Sequence, residues 1–327
     1  MRYRRLGRTG FEVSEIGFGA WAIGGSWGEV DDAVSMRTLH AAADAGVTLY
    51  DTADVYGDGR SERLLGRFLR ERSGQRLIVA TKMGRRMDQL TSNYSPEHFA
   101  AWTDRSREYL GVDRLDLVQL HCPPTDLFYH PEVFAALDEL VASGVMADYG
   151  VSVERVEEGL KALEYPGVAS IQIILNMVRQ RPLERFLPEA ARRDVGVLAR
   201  VPMASGLLTG KMTAGSTFPP DDHRGFNRHG ESFDVGETFA GLDFEVGLEV
   251  VERLRPLVPE GTTMGQMALR WILMSQEVTA AIPGARTPEQ AQANARASDL
   301  PPLSAATMDQ VRRIYDELAR PLVHQRW

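Results

Sequence analysis

A single cysteine, Cys122, stands among 327 residues, so no disulfide can form within the chain, and a reducing compartment suits it. No apolar run approaches the roughly 20 residues that carry a helix across a bilayer. Positive charge is also scarce: 37 Lys and Arg face 45 Asp and Glu, for a net charge of −8. That argues against a nucleic-acid or anionic-membrane partner, while leaving room for a local basic pocket. His-Glu-x-x-His and Cys-x-x-Cys spacings are missing, so no metal is expected. The opening MRYRRLGRTG is basic with no apolar stretch behind it, unlike a signal peptide. Low-complexity segments and domain linkers are absent too. The balance of 43% hydrophobic and 25% charged residues suits a globular, cytoplasmic protein with a core large enough to fold unaided.

What the chain has is alternation. YRRLGRTGFEVSEIGFG reads as a β-hairpin turning at Arg8-Thr9-Gly10, followed by a short strand at 16–18. DDAVSMRTLHAAADAG reads as a helix capped by Asp31 or Asp32, with Met36, Leu39 and Ala43 on its apolar face and Gly46 at its end. Strand-like VTLYD, RLIVATK, LDLVQLH, ADYGVS, SIQIILN, GVLARVP and TAAIPG follow in turn, each with a helix-like stretch behind it, two of these at 153–163 and 183–194. Short, continuously apolar strands imply a sheet covered on both faces. Eight such units predict an α/β fold, a (β/α)8 TIM barrel over 1–327 as one domain, with an N-terminal β-hairpin and long loops at the C-terminal face. An open doubly wound sheet is the rival. Segment 212–242 has no clear period and is too long for a plain connector, so it reads as a functional loop or lid. GFGAWA, Gly17 to Ala22, matches the dinucleotide fingerprint, but loop rather than helix is expected behind it, which disqualifies it.

The strands end on polar residues: Asp51, Lys82, His121, Ser152, Asn176 and Arg200. In a parallel barrel all strand C-termini share one face, where active sites lie. Asp51, Lys82 and His121 therefore become rim neighbours, with Tyr56 just above in the first loop. Singly, each has an ordinary reading: a turn aspartate, a lysine reaching solvent, a structural histidine, a packing tyrosine. Together they supply an acid, an ammonium, an imidazole and a phenol on one rim. A phenol with pKa near 10 is a poor proton donor at neutral pH, and a close ammonium lowers that value. Asp51 would keep Lys82 charged, and His121 would orient a substrate oxygen. Such a set suits protonation of a carbonyl as it becomes an alkoxide. Side chains cannot supply a hydride, so a nicotinamide cofactor is implied.

At these residues the chain resembles the aldo-keto reductases. GFGAWAIGG, YDTADVYGDGRSERLLG, VATKMG, DLVQLHCPP, YGVS, SGLLTGK and IPGARTPEQAQAN occur in family order over nearly the whole chain. The resemblance implies a catalytic tetrad of Asp51, Tyr56, Lys82 and His121, and NADPH across the C-terminal rim. It places Ser152 and Gln172 on the nicotinamide carboxamide, beside Asp51, and Trp21 along the nicotinamide and substrate pocket. Pro202, Met203, Ser205, Gly206, Leu207 and Lys211 would run along the pyrophosphate. Gly284, Arg286, Gln290 and Asn294 would bind the adenosine end, where Thr287-Pro288 opens a helix and Arg286 suits a 2′-phosphate, favouring NADP over NAD. Three positions depart from the family pattern: Arg200 where an aromatic residue often stacks on the nicotinamide, Val153 where an asparagine follows the GVS serine, and Gly284 where a lysine is usual. A guanidinium can also lie flat on a ring.

The expected activity is NADPH-dependent reduction of a small-molecule aldehyde or ketone, reversible as alcohol or sugar oxidation. A cofactor-binding sensor or channel-accessory subunit is the alternative, against which stands the lack of an added N-terminal segment. A Schiff-base aldolase would need a depressed Lys82 pKa, which Asp51 opposes. Trp21, Trp27, Tyr56, Phe128, Tyr129 and the 212–242 segment are expected to shape the pocket. Cys122 is expected to be buried and inert.

Overall fold

The computed structural model describes residues 1–25 and 31–327, so Trp27 lies outside the described residues. Strands β1 (Tyr3–Arg5) and β2 (Glu12–Ser14) pair antiparallel, joined by a helical turn at Gly7–Thr9. The main sheet has eight strands in chain order: β3 (Phe18–Gly19), β4 (Leu49–Asp51), β5 (Ile78–Met83), β6 (Leu115–His121), β7 (Met146–Ser152), β8 (Val168–Ile174), β9 (Gly196–Arg200) and β10 (Ala280–Ala281). Every neighbouring pair is parallel. Parallel bridges Ile16↔Ala281 and Gly19↔Gly284 join the first strand to the last, which closes the ring. The (β/α)8 barrel and its hairpin are as the alternation predicted.

Two apolar layers hold the ring. Inside, Leu6 and Val13 of the hairpin pack with Leu49, Ile78, Ala80, Leu117, Leu198, Ala280 and Ile282 of the strands. The hairpin therefore stoppers the barrel floor, each of its two buried side chains contributing about 1.5–3 kcal/mol. Outside, a larger cluster including Phe68, Phe99, Leu137, Phe186 and Leu254 joins the helices to the sheet.

Local chemistry sets the helix starts. Asp31 accepts from the Val34 N–H at 3.1 Å and opens Asp32–Asp44. Ser95 accepts from the His98 N–H at 3.3 Å and, with Pro96 in the first turn, opens Pro96–Leu110. Some boundaries differ from expectation. The helix expected over 183–194 spans Phe186–Arg192, because Pro182 begins a separate helical turn at Arg181–Leu183. Trp21–Gly24, read as loop, is a single α-turn. A helix at Ala305–Ile314, capped by Ser304, extends the fold beyond the last predicted unit.

Segment 212–242 is loop broken by short turns at His223–Phe226, Val235–Glu237 and Phe239–Gly241. Within it Phe218 packs on Phe239, and both rings reach Phe244 at the start of the helix Phe244–Leu254. Trp327 packs beneath it, donating its indole N–H to Asp234 Oδ1 at 2.9 Å while its ring lies 3.8 Å from the Arg179 guanidinium.

Candidate active site

Parallel register gathers the strand ends. Asp51 pairs with Gly19 and Ala80, Lys82 with Gln119, His121 with Ser152, and Ser152 with Gln172. Residues far apart in sequence thus become neighbours around one rim, all of them buried.

Lys82 is the hub. Its ammonium donates to Asp51 Oδ1 at 2.6 Å, to the Thr52 carbonyl at 2.8 Å and to the Tyr56 hydroxyl at 3.3 Å. Burial alone would lower the lysine pKa; Asp51 and the Tyr56 oxygen outweigh it and hold the value above the ordinary one. The Tyr56 phenol behaves differently from the sequence expectation. Burial pushes its pKa up, Lys82 pulls it down, Asp51 and Glu237 push it up again, and the net shift is upward. Lys82 therefore offsets desolvation without making the free phenol acidic. The His121 ring lies 5.8 Å from the Tyr56 ring, edge to face. Burial first, then Arg85, Lys82 and Arg200, drive the imidazole pKa well below its ordinary value. His121 is thus neutral, carrying one N–H to donate and one lone pair.

The Tyr56 turn is pressed against the Trp21–Gly24 turn. A Cβ at Gly57, whose φ is +60°, would overlap the Gly24 carbonyl oxygen, and one at Gly24 would come 2.8 Å from Tyr56 Cβ. Only glycine permits that approach. It brings the Trp21 ring parallel to the Tyr56 ring at 6.0 Å. The Trp21 ring also meets His223 of segment 212–242, 4.7 Å away and itself buried. In the same turn Asp54 is buried against Arg105 Nη2 at 3.0 Å. Desolvation, then Glu62, raise its carboxyl to about 7 against the pull of Arg105.

The residues expected around a nicotinamide lie close by with specific partners. Gln172 Nε2 donates to Asp51 Oδ2 at 2.7 Å, so its amide nitrogen supports the tetrad carboxylate. The Ser152 hydroxyl lies 3.4 Å from Cys122 Sγ, whose thiol burial pushes up to about 12. Arg200 belongs to a buried quartet. Its Nη2 donates to Glu154 Oε2 at 2.7 Å and to the Val153 carbonyl at 3.0 Å, and its Nη1 lies 3.5 Å from Glu237 Oε1. Arg85 completes the set, 3.0 Å from Glu154 and 2.9 Å from Glu237. Desolvation raises Glu237, whereas Arg200 and Arg85 overcome desolvation at Glu154 and lower it.

The turn 202–207 and segment 212–242 are joined at Ser205. Its hydroxyl donates to the Glu237 carbonyl at 2.9 Å and accepts from the Phe239 N–H at 3.2 Å. Ser205 and Gly206 have φ of 55° and 90°, a backbone that leaves the regular helix between Met203 and Leu207. Pro202 and Leu207 are buried and Lys211 is exposed. Just past β10, where Gly284 bridges Gly19, Asn294 Nδ2 donates to the Gly284 carbonyl at 3.1 Å, and the Arg286 N–H donates to Gln290 Oε1 at 2.8 Å. Gly284, Arg286 and Gln290 lie about the start of helix Pro288–Ala295, which Thr287 caps, and Asn294 stands near its end. Two pocket expectations fail. Phe128 is fully buried in the outer core, and Tyr129 is 67% exposed with its ring near Lys161.

A model of the Aldo/keto reductase family matches residues 15–316. The chain belongs to the aldo/keto reductase family. It is accordingly an NAD(P)H-dependent oxidoreductase acting at the carbonyl or alcohol level. Aldo-keto reductase YhdN of Bacillus subtilis is 34% identical over 90% of this chain and 87% of its own. A probable voltage-gated potassium channel subunit beta of Arabidopsis thaliana is 28% identical over 96% of each chain. Glycerol dehydrogenase AKR11B4 of Gluconobacter oxydans superposes with a TM-score of 0.75 at 31% identity, covering 99% of this chain and 96% of that one.

The rim of this aldo/keto reductase fits a nicotinamide nucleotide. The capped start of helix Pro288–Ala295, with Arg286 just before it, is of the kind that suits phosphate, and register links it through Gly284 and Gly19 to Asp51. Sequence reading missed Arg85, Glu154, Glu237 and His223. Glu154 directly follows the YGVSV strand end and was within reach of the strand-end rule. Glu237 and His223 lie in the aperiodic segment 212–242, where no spacing marks them.

Proposed function

We propose that the chain is an NADPH-dependent reductase of a small aldehyde or ketone, with Tyr56 as the proton donor. The observation that carries this reading is the buried chain Asp51–Lys82–Tyr56, with contacts of 2.6 and 3.3 Å. A bound nicotinamide supplies the hydride to the carbonyl carbon. The side chains then act on the oxygen. Tyr56 gives its proton as negative charge builds there, and the Lys82 ammonium stabilises the phenolate left behind. Asp51 balances the ammonium throughout. Neutral His121 donates a hydrogen bond to the carbonyl and aligns it without competing as an acid. The net rise in the Tyr56 pKa favours the protonated donor before reaction. In reverse, the phenolate takes the proton of an alcohol.

Arg286 favours NADP over NAD by pairing with a 2′-phosphate. Ser152 holds the carboxamide, Trp21 lines the pocket, and Pro202 to Leu207 with Lys211 follow the pyrophosphate. Arg200 serves through the quartet, positioning the lid instead of stacking on the ring.

The test is turnover of a carbonyl panel with NADPH and NADH in parallel, for the native chain and Tyr56→Phe. NADPH should be preferred, and Tyr56→Phe should lower kcat by about 10²–10⁴-fold with NADPH binding, followed by fluorescence quenching, unchanged. Undiminished turnover in Tyr56→Phe removes Tyr56 from the chemistry. Tight NADPH binding without turnover of any carbonyl would replace the enzyme reading with a sensor.

A further inference from the structure

At the pole opposite the rim lies a charged cavity that the reductase reading does not use. A crevice of about 340 Å³ opens where the hairpin meets the barrel floor, lined by Arg2, Arg4, Glu15, Arg270 and Gln276 among others. Three guanidiniums surround one carboxylate. Glu15 is buried and already saturated: Arg4 lies 2.9 Å from Oε2, and the Ser298 hydroxyl at 2.9 Å and Arg2 Nε at 3.2 Å share Oε1. Arg4 is likewise spent, donating also to the carbonyls of Leu273, Ser275 and Val278. Arg270 is not. It is 3% exposed, its Nε reaches the Pro301 carbonyl at 3.2 Å, and its buried Nη1 has no hydrogen-bond partner. The nearest carboxylate oxygen, Glu15 Oε1, stands 3.9 Å from it. Arg2 is half exposed at the mouth and spends Nε and Nη2 on the carbonyls of Ser298 and Leu300.

A buried guanidinium nitrogen without an acceptor is costly, and here two more cations crowd it. Burial and then Arg2 lower the Arg270 pKa, Glu15 opposes them, and Arg4 adds to the strain. The missing element is a second negative charge with planar or tetrahedral oxygens, which guanidinium forks bind well.

We propose that this crevice is a binding site for a small oxyanion, a carboxylate or a phosphate, seated on Arg270 with Arg2 closing the mouth. The ligand ties the hairpin that stoppers the floor to the segment leading into β10, so its occupancy is read in the stability of the whole barrel. The site is independent of the reductase reading, and it gives a mildly acidic protein one electropositive pit at the end farthest from the chemistry.

Thermal unfolding in sodium phosphate, sodium succinate and sodium chloride at matched ionic strength tests it. The native chain should show a saturable rise over chloride, about 2 °C at a tenfold excess over Kd. A response to phosphate alone assigns a phosphate ester; a response to succinate assigns a carboxylate. Arg270→Gln should abolish the rise, and Arg2→Gln, at a half-exposed position that the fold tolerates, should weaken it several-fold. Arg286→Gln, which alters the phosphate pocket at the other pole, should leave it intact. No saturable rise with either anion, or a rise that survives both floor substitutions and vanishes in Arg286→Gln, overturns the proposal.

Discussion

The two ends of this barrel treat buried charge in opposite ways. At the rim each of three cations has a carboxylate: Lys82 has Asp51, and Arg85 and Arg200 share Glu154 and Glu237. At the floor three guanidiniums share Glu15, and main-chain carbonyls take up much of the remaining donor capacity. Removing one partner of a matched buried pair strands the other. Removing one cation from a surplus strands nothing. The rim is therefore brittle to single charge changes and the floor is tolerant, although Glu15 and Arg270 of the floor are as buried as Asp51 and Lys82 of the rim.

The sharpest way to break that contrast is Lys82→Met, which leaves Asp51 buried without its cation. It should cost about 3–5 kcal/mol in urea unfolding, and turnover should be lost. A cost below about 1 kcal/mol would mean that Gln172 suffices for Asp51 and that the rim is not matched. Next is Glu237→Gln, which should lower stability by about 1–3 kcal/mol and speed tryptic cleavage within 212–242. An unchanged cleavage rate would detach the quartet from the lid.

A pH series probes the same rim without mutation. Asp54 is raised from 3.8 unfolded to about 7 folded, so the folded state holds its proton longer. The contribution is full below about pH 4 and is lost as pH rises through about 7. Asp54→Asn should flatten the stability profile across that window; an unaltered slope would place the titration elsewhere. The smallest effect belongs to the floor. Arg270→Gln in chloride should change stability by less than about 1 kcal/mol, because the loss of a packed side chain is offset by relief of repulsion. A loss as large as that of Lys82→Met would show the floor to be matched after all.

Much of the rim was legible because parallel strands end on one face. Asp51, Lys82, His121 and Ser152 follow from that rule alone, whereas Gln172, inside its strand, and Gly284, Arg286, Gln290 and Asn294 came from the family resemblance, with Thr287-Pro288 marking only the helix start. What could not be read depends on burial and on segments without period. The direction of the Tyr56 shift turns on desolvation, which spacing does not reveal. The quartet needed Glu237, and nothing in the 212–242 stretch distinguishes that glutamate from its exposed neighbours. Phe128 was misplaced because an aromatic residue after a strand end reads the same whether it faces the pocket or the core.

The close fit between the Trp21–Gly24 turn and the Tyr56 turn carries a practical consequence for anyone redesigning the pocket. The Tyr56 hydroxyl is located by one peptide resting on another, with no side chain between them to absorb an error. A variant library that keeps positions 24 and 57 as glycine can therefore randomise residue 21 and still present the phenol in place, whereas a methyl group at either glycine would shift the reacting atom itself.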